Sequence, residues 1–74
     1  MRDYNKEIGE YLAKARIDRG LTQQQVADRL GVTKTCVHYW ESGKRTIYAS
    51  NMIEYCLAIG LDPQDIVRDV TGGR

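Results

Sequence analysis

Apolar positions recur every three or four residues along most of this chain. Ile8, Leu12 and Ala15 form one stripe, and Val26, Ala27 and Leu30 a second. Val37 and Trp40, with Cys36 beside them, form a third. Met52, Tyr55, Cys56 and Ile59 form a fourth, and Ile66, Val67 and Val70 a fifth. That period is the α-helical one, so the pattern predicts five helices and an all-α fold. Polar residues and glycines set the boundaries. Asp3 or Asn5 caps the first helix, which runs to about Arg19, and Met1 and Arg2 are expected to fray. Lys6, Glu10, Lys14 and Asp18 fall on its outer faces. Gly9 sits inside it at a cost of about 1 kcal/mol relative to alanine, a position that fits close packing against another helix. Gly20, Gly43 and Gly60 mark later stops. Ser50 is the expected cap of the fourth helix, with Leu57 off its inward stripe. Asp62, Pro63 and Asp65 open the fifth, with Leu61 and Ile66 at staple spacing around the cap, and it dies out in Thr71-Gly72-Gly73. No linker, repeat or low-complexity run divides the chain, so residues 1–74 are read as a single domain.

The most heavily signalled stretch runs from Leu21 to Gly43. Thr22, followed three residues later by Gln25, is a capping box, and Leu21 with Val26 has the spacing of a hydrophobic staple. Gly31 ends the helix because it takes the left-handed conformation at no steric cost. Only Val32 separates it from the next cap, Thr33, and Val32 with Val37 repeats the staple spacing. Two short helices joined so tightly must diverge at a steep angle, which is the helix-turn-helix geometry. The second of them, roughly Thr33 to Ser42, turns Val37 and Trp40 inward. Thr33, Lys34, Thr35, His38 and Tyr39 are left for the outside, with no carboxylate before Glu41. An α-helix fits the major groove of B-DNA, where short or donor-bearing side chains meet base edges.

Composition narrows the possibilities. A chain of 74 residues buries only about 60% of its unfolded surface, too little for a deep catalytic cleft. No nucleophile with a neighbouring base, carboxylate pair or phosphate-cradling glycine loop is apparent, so no enzyme activity is expected. One histidine, two cysteines twenty residues apart and no CxxC argue against a metal site, and no cofactor is expected. Cys36 and Cys56 are read as buried free thiols of a cytoplasmic protein. No apolar run approaches the roughly 20 residues of a membrane span. The net charge of +1 is unevenly spread. Residues 1–45 carry nine Lys and Arg against six Asp and Glu, a balance of +3, while residues 46–74 carry two against four, a balance of −2. The basic part coincides with the helix-turn-helix, and Lys44 and Arg45 follow it as either a solvated pair or a clamp on a phosphate backbone.

With Gly20-Leu21-Thr22-Gln23, Gly31-Val32-Thr33 and Trp40-Glu41-Ser42-Gly43-Lys44-Arg45 in view, the chain resembles the Cro/C1-type (lambda-repressor-like, XRE-type) helix-turn-helix family over about residues 6 to 68. The resemblance implies a five-helix bundle with the motif at helices 2 and 3. It implies that Gln23 contacts a phosphate and braces the recognition helix. Thr33, Lys34, Thr35, His38 and Tyr39 fall where the family reads bases and nearby phosphates, and Lys44 and Arg45 match its backbone-contacting loop. Arg16 and Glu41 match a paired Arg and Glu tying the first helix to the end of the recognition helix. Two positions depart: Ile47 stands where the family usually has proline, and Tyr48 where it has a small cap. One of this pair is expected in the core.

Lys34 has the donors for guanine, Thr35 can meet a thymine methyl, and His38 contacting phosphate implies affinity that rises as pH falls. A single copy makes few phosphate contacts, so a homodimer is expected, paired through Leu57, Leu61, Pro63 and the fifth helix. The leading functional expectation is a sequence-specific double-stranded DNA-binding transcriptional regulator, a small phage or mobile-element Cro-like repressor on a pseudo-palindromic operator. An antitoxin or restriction–modification controller autorepressor is one alternative, and a protein-interaction module on the same fold is another.

Overall fold

The structure is a computed structural model and describes residues 3–72. The expectations that Met1 and Arg2 fray and that Gly73 closes the last helix lie outside those residues. Five helices follow in order: α1 (Tyr4–Asp18), α2 (Gln23–Leu30), α3 (Lys34–Ser42), α4 (Ala49–Ile59) and α5 (Pro63–Val70). α1 packs on α3, α4 and α5; α2 packs on α3 and α4; and α4 packs on α5. The predicted stripes, all but Val67 of the fifth, which is 57% exposed, meet in or pack against one core of Leu12, Ala15, Val26, Ala27, Val37, Trp40, Ile47, Tyr55, Cys56, Ile59, Leu61 and Ile66.

The local signals act as the sequence predicts at four of five helix starts. Asp3 caps α1, accepting from the Lys6 N–H at 3.1 Å. Asn5 does not; its side-chain amide instead donates to Thr46 Oγ1 at 3.1 Å and holds the loop before α4. Thr22 and Gln25 form the capping box, with distances of 3.0 and 2.8 Å. Thr33 accepts from Cys36 N–H at 3.1 Å, and Asp62 accepts from Gln64 N–H at 2.9 Å. The fourth start differs. α4 begins at Ala49, so Ser50 lies in its first turn, and Tyr48 occupies the cap position without a side-chain cap bond. There the helix is set by packing, not by a cap. Ile47 is buried at 8% exposure and anchors the entry to α4, whereas Tyr48 is 70% exposed.

Two glycines position the motif. Gly31 adopts φ +69°, and the Val32 N–H turns back to the Ala27 carbonyl at 3.0 Å, so α3 departs within three residues of α2. Gly9 lets α1 lie directly against the last turn of α3. A methyl group there would come within 2.4 Å of the Trp40 carbonyl oxygen and 2.6 Å of that of Glu41. The glycine in the helix interior is therefore explained by the backbone it touches.

Two sequence expectations need correction. Leu61, assigned above to a dimer surface, is only 8% exposed and belongs to this chain's own core. Its place just before the Asp62 cap makes it the partner of Ile66 in a staple, and that packing claims the side chain. Cys36 is half-buried and not fully buried; Cys56 is buried, and both are free thiols.

Candidate nucleic-acid interface

The interface starts from what fixes α3 in place. Glu41 projects inward from its last turn, with 6% side-chain exposure, and receives four hydrogen bonds. Oε1 accepts from Arg16 Nη2 at 2.9 Å and from Gln23 Nε2 at 3.0 Å. Oε2 accepts from Arg16 Nε at 2.8 Å and from the Tyr55 hydroxyl at 2.5 Å. The three donor residues come from three different helices, so one carboxylate joins α1, α2, α3 and α4. Arg16 Nη1 also donates to the Leu21 carbonyl at 2.7 Å, fixing the chain as it enters α2. No buried side-chain nitrogen or oxygen among the described residues lacks a partner.

Burial alone would raise the Glu41 carboxyl pKa. Hydrogen bonds from Arg16, Tyr55 and Gln23, together with the Arg16 charge, outweigh burial and hold it below the usual carboxylate range. The hydrogen bond to Glu41 raises Arg16 further, and burial followed by the Glu41 bond pushes the Tyr55 hydroxyl well above its ordinary value. All three groups therefore keep one protonation state across the neutral range.

The Arg16–Glu41 pair and the bracing role of Gln23 are where the sequence places them. Tyr55 as the third donor was missed. Its ring lies on an apolar stripe and was read as core, which it is; nothing in the periodicity shows where its hydroxyl points. The only sequence signal was the choice of tyrosine over phenylalanine at a fully buried position, since a buried hydroxyl needs a partner.

With Val37, Trp40 and Glu41 turned inward, α3 presents a consistent outer face. Thr33, Lys34, Thr35 and His38 are exposed, and Tyr39 is half-buried. Because Glu41 is buried, α3 shows no carboxylate to solvent. The loop after α3 brings Lys44 and Arg45 alongside. Arg45 N–H donates to the Tyr39 carbonyl at 3.2 Å. Lys44 Nζ lies 5.6 Å and Arg45 Cζ 5.3 Å from the centre of the Tyr39 ring. The predicted contact residues of α3 and its following loop thus gather on one uncovered surface. The Gln23 side-chain amide is turned to Glu41.

This is a helix whose solvent face carries no carboxylate, joined by a tight turn to a second helix. Residues 9–71 match the helix-turn-helix domain family. The chain belongs to that family, in its Cro/C1 (XRE) branch. A stretch of 38 residues, 51% of this chain, is 45% identical to the HTH-type transcriptional activator BcrR of Enterococcus faecalis. The stretch spans only 19% of that protein's length. Among solved structures, the clp gene regulator ClgR from C. glutamicum has the same fold. It superposes with a TM-score of 0.88 over 93% of this chain and 90% of that one, at 22% identity. The restriction-modification controller protein C.AhdI from Aeromonas hydrophila superposes with a TM-score of 0.78 over 86% of this chain and 96% of that one, at 26% identity.

Among the described residues no three His, Cys, Asp or Glu side chains are grouped so as to hold a metal ion. No helix among them is long and apolar enough to cross a membrane.

Proposed function

We propose that this helix-turn-helix protein binds a specific double-stranded DNA sequence with α3 in the major groove, and represses transcription as a Cro-like homodimer on a pseudo-palindromic operator. The observation that carries the reading is the exposed, carboxylate-free face of α3, with Lys44 and Arg45 at its end. Lys34 and Thr35 lead into the groove, where Lys34 donates to guanine O6 and N7. His38, Lys44 and Arg45 grip phosphates, with the Tyr39 ring beneath the last two. Thr33 accepts from its own helix through its hydroxyl oxygen and keeps its O–H to donate to a phosphate. Gln23 acts chiefly by bracing Glu41.

Pairing of two copies puts two α3 helices into successive major grooves about 34 Å apart. The surface best suited to it lies on α4 and α5, where Leu57 is 68%, Val67 57% and Ile53 44% exposed, near half-buried Pro63. Leu61 does not contribute.

The likeness to a restriction–modification controller supports a second reading in which the operator lies before such genes. The two readings share every contact residue and differ in the DNA site. A salt-dependent gel shift tests both against a protein-interaction module. Dimeric binding with six to ten phosphate contacts loses about 10³–10⁵ in affinity between 50 and 200 mM salt. Binding that stays flat across that range, or no binding to any duplex, contradicts the proposal.

A further inference from the structure

We infer that Tyr39 is a positioning residue, which holds Lys44 and Arg45 in a preformed grip for two phosphates beside the groove. The inference rests on the DNA-binding reading above. Its ground is a cluster at the exit of α3. The Tyr39 carbonyl accepts from the Arg45 backbone at 3.2 Å, and its ring has Lys44 Nζ at 5.6 Å and Arg45 Cζ at 5.3 Å. Two adjacent like charges on long stems repel each other and spread in solution. An aromatic face attracts cations within about 6 Å, so one ring can gather both. Tyr39 is half-buried beside buried Trp40, so the ring is a fixed platform, whereas Lys44 and Arg45 are exposed. The His38 ring, 6.0 Å away centre to centre, borders the platform on the α3 side. A guanidinium keeps its N–H groups in its own plane, so Arg45 can stay over the ring while donating sideways to phosphate. Ordering that precedes binding raises affinity without adding a contact.

The test is DNA affinity for a selected site and for an unrelated duplex, measured with Tyr39→Leu, Tyr39→Phe and a Lys44→Ala/Arg45→Ala background. At about 0.5–1 kcal/mol for each of the two exposed cation–π contacts, Tyr39→Leu should weaken binding about 5–30-fold for each protomer on the DNA. The loss should be similar on both duplexes, because phosphates carry no sequence. Tyr39→Phe, which keeps the ring, should recover most of it. In the Lys44→Ala/Arg45→Ala background, Tyr39→Leu should have almost no further effect. Equal losses in the Leu and Phe variants overturn the inference in favour of a direct hydroxyl contact. A loss confined to the selected site overturns it in favour of base reading, and an undiminished loss in the double-alanine background removes the link to the two cations. A wild type that binds neither duplex refutes the DNA-binding reading itself, whereas a wild type that binds while Tyr39→Leu binds equally well refutes only the role of the ring.

Discussion

Replacing Arg16 with methionine tests the physical arrangement on which α3 depends. The substitution keeps an unbranched stem of similar bulk but removes three donors. Two served Glu41 at 2.8 and 2.9 Å, and one served the Leu21 carbonyl at 2.7 Å. Glu41 would keep only Gln23 and Tyr55 as donors, with no compensating charge, at 6% side-chain exposure. Stranding one member of a buried pair costs about 3–5 kcal/mol. A domain of 74 residues has a total stability of about 4–11 kcal/mol, so the loss removes between about a quarter and all of it. At roughly 4–8 °C per kcal/mol for a domain of this size, the melting temperature should fall by at least about 12 °C. The combined replacement Arg16→Met, Glu41→Leu and Tyr55→Phe removes the stranded charge and both buried polar partners together. It should recover most of the loss, since apolar substitutes of similar volume often match a buried ion pair. Urea unfolding followed by circular dichroism measures both. A cost below about 1 kcal/mol for Arg16→Met is what an exposed pair gives, and would refute the claim that this carboxylate holds the four helices together.

Four further outcomes are expected. Gly9→Ala should destabilise the fold by about 1–3 kcal/mol in thermal melts despite alanine's better helix propensity, because the new methyl meets the Trp40 and Glu41 carbonyl oxygens; a variant as stable as wild type would show that α1 can move away freely. Glu41 has a folded pKa below its unfolded one, so its contribution is complete above about pH 4.3 and is lost as pH falls through the lower folded value. Urea stability should therefore decline in acid with a shallower slope in Glu41→Gln, and identical slopes would count against this. Burial pushes the Cys56 thiol up to about 11, so Cys36 should react with a thiol reagent well before Cys56 in native protein; mass spectrometry of the labelled peptides decides. Leu57→Asp should shift sedimentation toward monomer and weaken operator binding while leaving the melting temperature close to wild type, as its side chain is 68% exposed; an unchanged oligomeric state would move the dimer surface elsewhere.

What was legible in the sequence is mostly what short-range chemistry controls. The caps at Thr22, Thr33 and Asp62 and the stop at Gly31 rest on hydrogen bonds spanning two to five residues, and such patterns can be read in one dimension. The cap predicted at Ser50 failed because burial of Ile47 sets the start of α4 two residues earlier, and no local motif encodes that. Leu61 carried two signals at once, a staple position and a leftover apolar residue, and the packing signal prevailed. The outer face of α3 was legible because its inner face was: once Val37 and Trp40 point inward, Lys34, Thr35 and His38 must point outward. The Tyr55 hydroxyl and the gathering of Lys44 and Arg45 on Tyr39 needed three dimensions. Both depend on where rings end up, and periodicity does not record that.

Selection of bound fragments from a random duplex pool, with wild type and Lys34→Ala in parallel, addresses the α3-in-groove claim most directly. The account predicts a wild-type consensus of two inverted half-sites with centres about one helical turn apart. For Lys34→Ala it predicts that preference weakens by about 1–3 kcal/mol at one symmetric position while the rest of the site survives. A pool that stays random, or a consensus indifferent to Lys34, would contradict it.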